Sequence, residues 1–267
     1  MINFEQFKTL NYRKWLVADL RPINDNYDGF YKKQGGISLF NTKFLDVYLD
    51  KIHPLNISMG TVDDANIIKE RKLNYTRYKS GFIFYNITHE DLLLNGKKYS
   101  EVRRSKNLYK DILDVKYSIN IDDAEELIQI WRKQRKDAHS SLKTNGETFF
   151  FRNHFNDNNL INLSFYIDNI IVGYAVLEKI EDNVFNWLFR RIDTERKQLI
   201  YYIDHLIFSH IYKLNNNEPF LLSGGDDGGE KNMKYFKNKI YNIDSIDTFN
   251  ITQIQSTNKV KKINTLF

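Results

Sequence analysis

The segment LINLSFYIDNIIVGYAVLEKIEDNVFNWLFRRI, residues 160–192, has the clearest secondary-structure pattern in the chain. Apolar, β-branched and aromatic residues dominate three runs, and such residues favour β-strands. The runs are Leu160–Ile167, Ile170–Ile180 and Asn183–Ile192, separated by Asp168-Asn169 and Glu181-Asp182. Because two-residue connections join antiparallel neighbours, the segment predicts a three-stranded meander.

The connections and one glycine support this meander. Asp168 and Asn169 tolerate the left-handed backbone conformation that a two-residue hairpin needs, and Glu181-Asp182 is assigned a similar turn. Gly173 interrupts the middle strand, and a glycine inside a strand indicates a bulge or a close approach of backbone. The meander is therefore predicted with two turns and one irregularity.

A long helix, a strand and a glycine-rich loop follow. Residues from Glu195 to Leu214 have apolar side chains at helical spacing, and Pro219 introduces the strand. Four of the 12 glycines lie between Gly224 and Gly229, where they flank Asp226 and Asp227. Glycine lets a ligand approach the main chain, and open sheets bind ligands beyond the carboxyl ends of strands. A polar turn before a surface helix is the other interpretation of this loop.

The helix predicted after the loop contains one lysine of special interest. Met233, Phe236, Lys237 and Ile240 fall on one stripe at helical spacing. Lys237 therefore lies at or beside the apolar face, and its side chain leans back toward the loop.

A basic helix is the main feature of the first half. Phe82–Ile87 predicts a strand, and a helix is predicted from Thr88 or His89 to about Lys110. Between residues 97 and 110 a single acid, Glu101, accompanies six basic residues: Lys97, Lys98, Arg103, Arg104, Lys106 and Lys110. The spacing of Arg103, Lys106 and Lys110 puts them on one face. This face is either solvated or an anion-binding surface that grips phosphates.

Composition excludes several classes of protein. The chain of 267 residues has no cysteine, which excludes disulfides, thiolate nucleophiles and Cys-bearing zinc sites. No metal-binding histidine spacing, P-loop or nucleophile elbow occurs, so no metal site is predicted. Neither a signal peptide nor a membrane-spanning run is found, and a soluble cytoplasmic protein is expected. The net charge of +5 favours acidic partners such as RNA, DNA, nucleotides or an anionic membrane surface.

The order of meander, long helix, strand, loop and helix resembles the GNAT acyltransferase fold. Phe165–Leu177 looks like the central hairpin of that superfamily. Within it, the chain is most similar to Fem-type aminoacyltransferases and to the C-terminal domain of phosphatidylglycerol lysyltransferases. The residues that carry this similarity are Gly96-Lys97, Arg103-Arg104-Ser105-Lys106, Ser223-Gly224-Gly225 and Tyr235-Phe236-Lys237.

The resemblance implies an α+β fold in which helices flank a mixed, mostly antiparallel sheet. It also implies two tandem GNAT-like halves, a degenerate one at residues 1–111 and an acyltransferase half at residues 112–267. The activity implied is transfer of an acyl or aminoacyl group from a thioester or aminoacyl-tRNA to an amine or hydroxyl.

One departure concerns the donor. Members of the superfamily that use acetyl-CoA bind its pyrophosphate on a glycine-containing loop before the long helix. The corresponding segment here, Arg190–Lys197, has no glycine. This puts CoA in doubt and leaves acyl-CoA and aminoacyl-tRNA as alternative co-substrates, with no permanently bound cofactor. The basic residues Arg190, Arg191, Arg196 and Lys197 can bind phosphates or can form a solvated helix start.

Site residues follow from the motifs. Asp226 and Asp227 are candidates for orienting or deprotonating the acceptor, or they only cap the next helix. Lys237 is a candidate for contacting a donor phosphate or stabilising negative charge. Candidates for substrate binding are Lys97, Arg103, Arg104, Lys106, Tyr174, Arg190, Arg196, Ser223, Gly224 and Gly225.

A second hypothesis is a nucleic-acid-binding protein on an inactive GNAT scaffold. The basic helix and a pI near 9.0 motivate it. A transferase that modifies tRNA or DNA combines the two hypotheses. The sequence does not fix the oligomeric state.

Overall fold

The computed structural model describes residues 4–7, 9, 21–22, 30–33, 36–39, 55–61, 66–67, 69–70, 75–134, 147–153, 155, 157–226, 241 and 243–253. Within them the strands are β1 (Arg21–Pro22), β2 (Phe30–Lys33), β3 (Gly36–Leu39), β4 (Leu55–Gly60), β5 (Tyr75–Ile87), β6 (Asp114–Lys116), β7 (Leu160–Ile167), β8 (Ile170–Glu181), β9 (Val184–Ile192), β10 (Phe220–Asp226) and β11 (Ile243–Gln253). The α-helices are α1 (His89–Leu92), α2 (Ser100–Tyr109), α3 (Ile121–Gln134) and α4 (Leu199–Leu214). Residues 147–153 are also helical, and short 3₁₀ turns lie at Phe4–Phe7 and Lys97–Tyr99.

The chain forms two compact units. The first contains Met1–Gly81 and Ile246–Phe267, and the second contains Phe82–Ser245. In the first unit β1, β2 and β3 are antiparallel neighbours, and β3 pairs parallel to β4. The end of β11 pairs antiparallel to the other side of β4. Whether residues 1–111 form a second GNAT-like half stays a prediction.

The second unit is built on a sheet with the strand order β5-β10-β9-β8-β7-β6. All neighbours are antiparallel except β9 and β10, which are parallel. This mixed, mostly antiparallel sheet with flanking helices confirms the predicted α+β fold class. The meander is confirmed as β7, β8 and β9.

The turns of the meander follow from residues that accept positive φ. Asp168 and Asn169 have φ of 52° and 63°, as the hairpin prediction requires. The second turn is displaced by one residue: Glu181 still belongs to β8 and pairs with Val184. Asn183, with φ of 62°, supplies the left-handed residue in its place. Asparagine adopts this conformation more readily than glutamate, so the prediction of Glu181-Asp182 was wrong by one position.

Gly173 lies at an irregularity, as predicted. It pairs with Phe165, whereas Ile171 pairs with the next residue, Tyr166, so that β8 carries one extra residue at Val172. A Cβ at Gly173 would be 3.0 Å from Cδ1 of Ile203 in α4. The glycine therefore permits both the bulge and the close approach of α4.

The basic helix predicted from residue 88 to about 110 is divided in the structure. Leu94 has φ of 56° and Gly96 has φ of 86°, which ends α1 before α2 begins. α2 packs on α4, and α3 packs on β8 and β9. Under α4 lies a core of buried aromatic and aliphatic side chains that includes Tyr85, Trp187, Phe208 and Tyr241.

Candidate active site

The strands β9 and β10 separate within the second unit. Val184, Phe185 and Asn186 pair in parallel with Leu221, Leu222 and Ser223, and the pairing ends there. Beyond this point β10 continues along β5 as far as Asp226, and β9 continues along β8 as far as Ile192. The two strands therefore leave an opening toward their carboxyl ends, which we call the β9–β10 opening.

A buried polar network closes the sheet at the base of the opening. The Trp187 amide donates to Ser223 Oγ at 3.0 Å, and the Ser223 hydroxyl donates to Asn186 Oδ1. Ser223 and Asn186 are fully buried. The Ser223 side chain thus accepts the hydrogen bond of the Trp187 amide, which no longer pairs with the main chain of β10. Such a partner is needed because a buried N–H group without one is costly. Asn186 was missed by sequence reasoning, and its polar side chain in an apolar strand is the signal that could have found it.

Gly224 and Gly225 lie where β10 turns away from β9. The register between β10 and β5 shifts between Ser223 and Gly225, so Gly224 is bulged. A Cβ at Gly224 would be 2.8 Å from Cε2 of Tyr85 and 3.1 Å from Cγ2 of Ile83. This glycine therefore accommodates the protein's own side chains, and its role toward a ligand stays a prediction.

Of the three predicted catalytic residues, Asp226 lies within the described part of the chain. Asp226 is the last residue of β10, where it pairs with Phe82. Asp227 and Lys237 lie outside the described residues. The chemical roles of all three residues stay predictions.

The basic residues of the first motif lie on and before α2. Lys97, Arg103, Arg104 and Lys106 are exposed. The Arg103 guanidinium donates to the carbonyl of Leu94 and, at 2.8 Å, to that of Gly96. Arg103 thus stabilises the turn between α1 and α2, whereas the structure gives the other three no such structural contact.

Hydrogen bonds attach α2 to the segment between β9 and α4. Ser105 Oγ donates to the carbonyl of Gln198 at 2.7 Å, and Tyr109 OH donates to that of Lys197 at 2.9 Å. Lys106 and Lys110 each follow one of these two residues on α2, and Lys197 belongs to the segment that they bind, although 88 residues separate Tyr109 and Lys197 in the sequence. The structure thus brings together two basic segments that the sequence analysis treated separately. We call Lys106, Lys110 and Lys197 the basic surface.

The segment before α4 already has partners for two of its amides. The Thr194 amide donates to Gln134 Oε1 at 3.1 Å. The Glu195 amide donates to Asp193 Oδ1 at 3.0 Å. Arg196 approaches the same aspartate, with 3.3 Å between its Nε and Asp193 Oδ2. Two amides of the segment without glycine are therefore hydrogen-bonded within the protein.

Arg190 lies on β9 beyond the end of its pairing with β10. Its guanidinium forms an ion pair with Asp204 of α4 and lies 4.7 Å from the centre of the Trp187 ring. Burial lowers the pKa of Arg190 to about 10 and raises that of Tyr85 to about 12. The positive charge of Arg190 is thus held beside the opening by α4.

Tyr174 lies in the core. It is fully buried and donates from its hydroxyl to Glu147 Oε2 at 2.7 Å. Glu147 is buried too and forms an ion pair with Arg191, whose guanidinium lies 4.4 Å from the centre of the Trp131 ring. Burial raises the pKa of Tyr174 far above its ordinary value, and the Glu147 charge adds to this effect. Sequence reasoning missed Glu147, which gave no signal in a segment read as an apolar helix.

No helix among the described residues is long and apolar enough to cross a membrane. Nor do three or more of their histidine and carboxylate side chains group in a way that could hold a metal ion.

Comparisons with known proteins give structural similarity without sequence similarity. No protein-family profile and no curated protein matches the chain. A conserved protein of unknown function from Bacteroides thetaiotaomicron has a TM-score of 0.61 at 14% identity, over 94% of this chain and 90% of that one. The C-terminal domain of a proposed lysylphosphatidylglycerol synthetase from Agrobacterium fabrum has a TM-score of 0.59 at 9% identity, with the same coverage. FemX has a TM-score of 0.53 at 11% identity, over 93% of this chain and 96% of that one.

These similarities confirm the fold that the sequence resemblance implied. The chain shares its fold with FemX and with the lysylphosphatidylglycerol synthetase domain. Identities of 9–14% show the fold alone.

Proposed function

We propose that the chain is an acyl- or aminoacyltransferase that acts at the β9–β10 opening. The observation that carries this proposal is the parallel pairing that ends at Ser223 and Asn186. The sheet therefore opens at the carboxyl ends of these two strands, and Asp226, one of the two candidate bases, ends β10. The structural similarity to FemX and to the lysylphosphatidylglycerol synthetase domain supports the proposal of an acyl- or aminoacyltransferase.

The reaction is a direct transfer. The acceptor amine or hydroxyl attacks the carbonyl carbon of the donor and loses its proton to a base. The C–S or C–O bond of the donor breaks, and the base returns the proton to the departing thiol sulfur or ribose oxygen. Asp226 or Asp227 is the proposed base. Lys237 is proposed to stabilise the charge that develops on the donor. No enzyme nucleophile is needed, in agreement with a chain without cysteine.

Aminoacyl-tRNA is the donor that we favour over acyl-CoA. The amides of Thr194 and Glu195 donate to Gln134 and Asp193, so they are not free for a pyrophosphate. The basic surface adjoins the same segment, and three neighbouring lysines suit the repeated phosphates of an RNA backbone. A cytoplasmic location belongs to this proposal.

Mass spectrometry of reaction products tests the proposal. The protein is incubated with a mixture of charged tRNAs or with acetyl-CoA, together with pools of small amines and alcohols. We expect transfer from charged tRNA, loss of transfer in Lys237→Ala and retention in the matched variant Lys234→Ala. Transfer from acetyl-CoA alone would reverse the choice of donor. No transfer from either donor, or full activity of Lys237→Ala, would contradict the proposed function.

The basic surface also supports a second candidate, a nucleic-acid-binding protein without turnover, or a transferase that modifies nucleic acid. Binding that weakens steeply with salt and is accompanied by no product favours the first form. A mass increase on the nucleic acid itself favours the second. Absence of salt-dependent binding removes both.

A further inference from the structure

A pocket separate from the β9–β10 opening lies in the second unit. It has a volume of about 380 Å³ and is formed by the end of β5, the region from α1 to Tyr99, and the start of β11. Its size falls in the range of small-molecule sites. Asn86 on its wall pairs with Leu221 near the start of β10, whereas the opening begins after Ser223. The proposed transfer therefore does not use this pocket.

Asp91 is a buried anion on the pocket wall. Its Oδ2 accepts from the Thr88 amide at 3.0 Å and the Thr88 hydroxyl at 2.8 Å. Its Oδ1 accepts from Tyr99 OH and, at 3.4 Å, from Lys98 Nζ. Burial acts to raise the pKa of Asp91, but the hydrogen bonds from Tyr99 and Thr88 and the Lys98 charge lower it overall. Asp91 is thus ionised, and both of its carboxylate oxygens are already hydrogen-bonded within the protein.

Lys98 is an ammonium group already bound at this wall. Besides its contact with Asp91, its Nζ lies 4.6 Å from the centre of the Tyr99 ring. A carboxylate and an aromatic face together are the surroundings that proteins use to bind ammonium groups. The charges of Lys98 and Asp91 therefore balance each other.

Two further carboxylates on the pocket have no balancing charge within the described part of the chain. Glu90 and Asp244 line the pocket and are exposed, and neither forms an ion pair with another described residue. With Lys98 and Asp91 balanced, the pocket retains a charge of about −2, which a concave surface concentrates. The carboxamides of Asn86 and Asn95 add oxygen acceptors, and Ile243 adds an apolar wall.

A buried hydroxyl lies close to the same wall. Tyr241 is 4% exposed, and its OH has no hydrogen-bond partner among the described residues. After burial, the charges of Tyr99 and Asp91 are the next causes that raise the pKa of Tyr241. The Tyr241 ring lies 6.0 Å from the ring of Tyr99, which belongs to the pocket wall.

We propose that this pocket binds a small molecule with a primary ammonium group on an aliphatic stem. The ammonium binds to Glu90 and Asp244, and the stem lies along Ile243. An anion is repelled by the same carboxylates. A multivalent metal ion is not favoured, since the described residues hold no group of three metal ligands and both Asp91 oxygens are occupied.

Isothermal titration with 1,5-diaminopentane at low salt tests the proposal. We expect saturable binding to the wild type and none of glutarate or pentan-1-ol. Glu90→Gln/Asp244→Asn should weaken binding about tenfold, since each partly exposed ion pair contributes up to about fivefold. The control Asp114→Asn/Glu126→Gln removes two exposed carboxylates outside the pocket and should bind as the wild type does.

A third variant, Asp244→Lys, adds an ammonium group of the protein's own and should abolish binding. All substituted residues are exposed, and thermal unfolding checks that each variant remains folded. The proposal is overturned if the wild type does not bind the diamine, if the pocket variants bind as tightly as the wild type, or if the control loses as much affinity. Because binding is measured without transfer, the result is independent of the proposed function.

Discussion

The Ser223 hydroxyl accepts a hydrogen bond from the Trp187 amide at the last pair of the parallel β9–β10 ladder. The same hydroxyl donates to Asn186 Oδ1. One side chain therefore satisfies two polar groups where the sheet opens. Because the base of the opening depends on this residue, its loss should affect both stability and the geometry of the opening.

Ser223→Ala leaves the Trp187 amide buried without a partner. We expect the free energy of unfolding to fall by about 1–3 kcal/mol, the cost of an unsatisfied buried polar group. Urea denaturation measures the change. Ser118→Ala is the control, because the Ser118 side chain is exposed and only its carbonyl is used, by the Ser164 hydroxyl. Equal stability of the two variants would contradict the role of Ser223.

Gly224→Ala places a methyl group against Tyr85 and Ile83 at 2.8 and 3.1 Å. Overpacking of this kind costs about 1–3 kcal/mol, because a strand or a ring has to move. Gly173→Ala is the comparison, since its nearest neighbour at 3.0 Å is the end of the Ile203 side chain, which can rotate. We expect Gly224→Ala to be the less stable variant in urea. The opposite order would mean that β10 yields more easily than its contacts indicate.

The features predicted from sequence were those encoded by neighbouring residues. The meander follows from alternation and from the turn residues Asp168 and Asn169, and Gly173 marks its own bulge. The break between α1 and α2 was missed, because helical periodicity continues across residues that adopt positive φ, such as Leu94. Hydrophobic periodicity indicates which face of a helix is buried, but it says little about the φ angle of a single residue.

The candidate site was predictable only in part, because its contacts join distant segments. Ser105 and Gln198 are 93 residues apart, and no local pattern indicates their hydrogen bond. Tyr174, in the hairpin of β7 and β8, was expected to bind substrate. Because almost every residue of this strand is apolar, the pattern did not indicate on which face of the sheet Tyr174 lies. The structure buries Tyr174 against Glu147.

Tyr174→Phe tests whether the buried hydroxyl has a structural role. The change removes the hydrogen bond to Glu147, and we expect a loss of about 1–3 kcal/mol in the free energy of unfolding. Transfer activity per folded molecule should be unchanged at a temperature well below unfolding. Tyr117→Phe, at a residue that is 67% exposed, is the control. A large fall in activity of folded Tyr174→Phe would restore the earlier prediction of substrate binding.

His205 gives the fold a defined dependence on pH. Burial, assisted by the charge of Lys106, lowers the pKa of His205 from 6.5 to about 4. Between these values the unfolded chain binds a proton that the folded chain does not, so stability is full above pH 6.5 and falls as the pH falls toward 4. The expected loss is about 3 kcal/mol.

Urea unfolding at several pH values between 4 and 7 measures this loss. His205→Gln should have a shallower dependence than the wild type, because it lacks the titrating ring. His89→Gln, at an exposed histidine, should retain the wild-type dependence. If His205→Gln and the wild type lose stability in parallel, the acid sensitivity has another source.

The basic surface should determine how binding of an RNA depends on salt. Lys106, Lys110 and Lys197 are exposed, and the hydrogen bonds of Ser105 and Tyr109 hold them around one segment. Replacing all three by glutamine removes up to three phosphate contacts, so the slope of log affinity against log salt should fall by about 2 to 3. Fluorescence anisotropy with labelled tRNA measures the slope. The control replaces Lys116, Lys133 and Lys213, which are exposed elsewhere, and changes the net charge equally. Equal slopes for the two triple variants would show that net charge, and not this surface, governs binding.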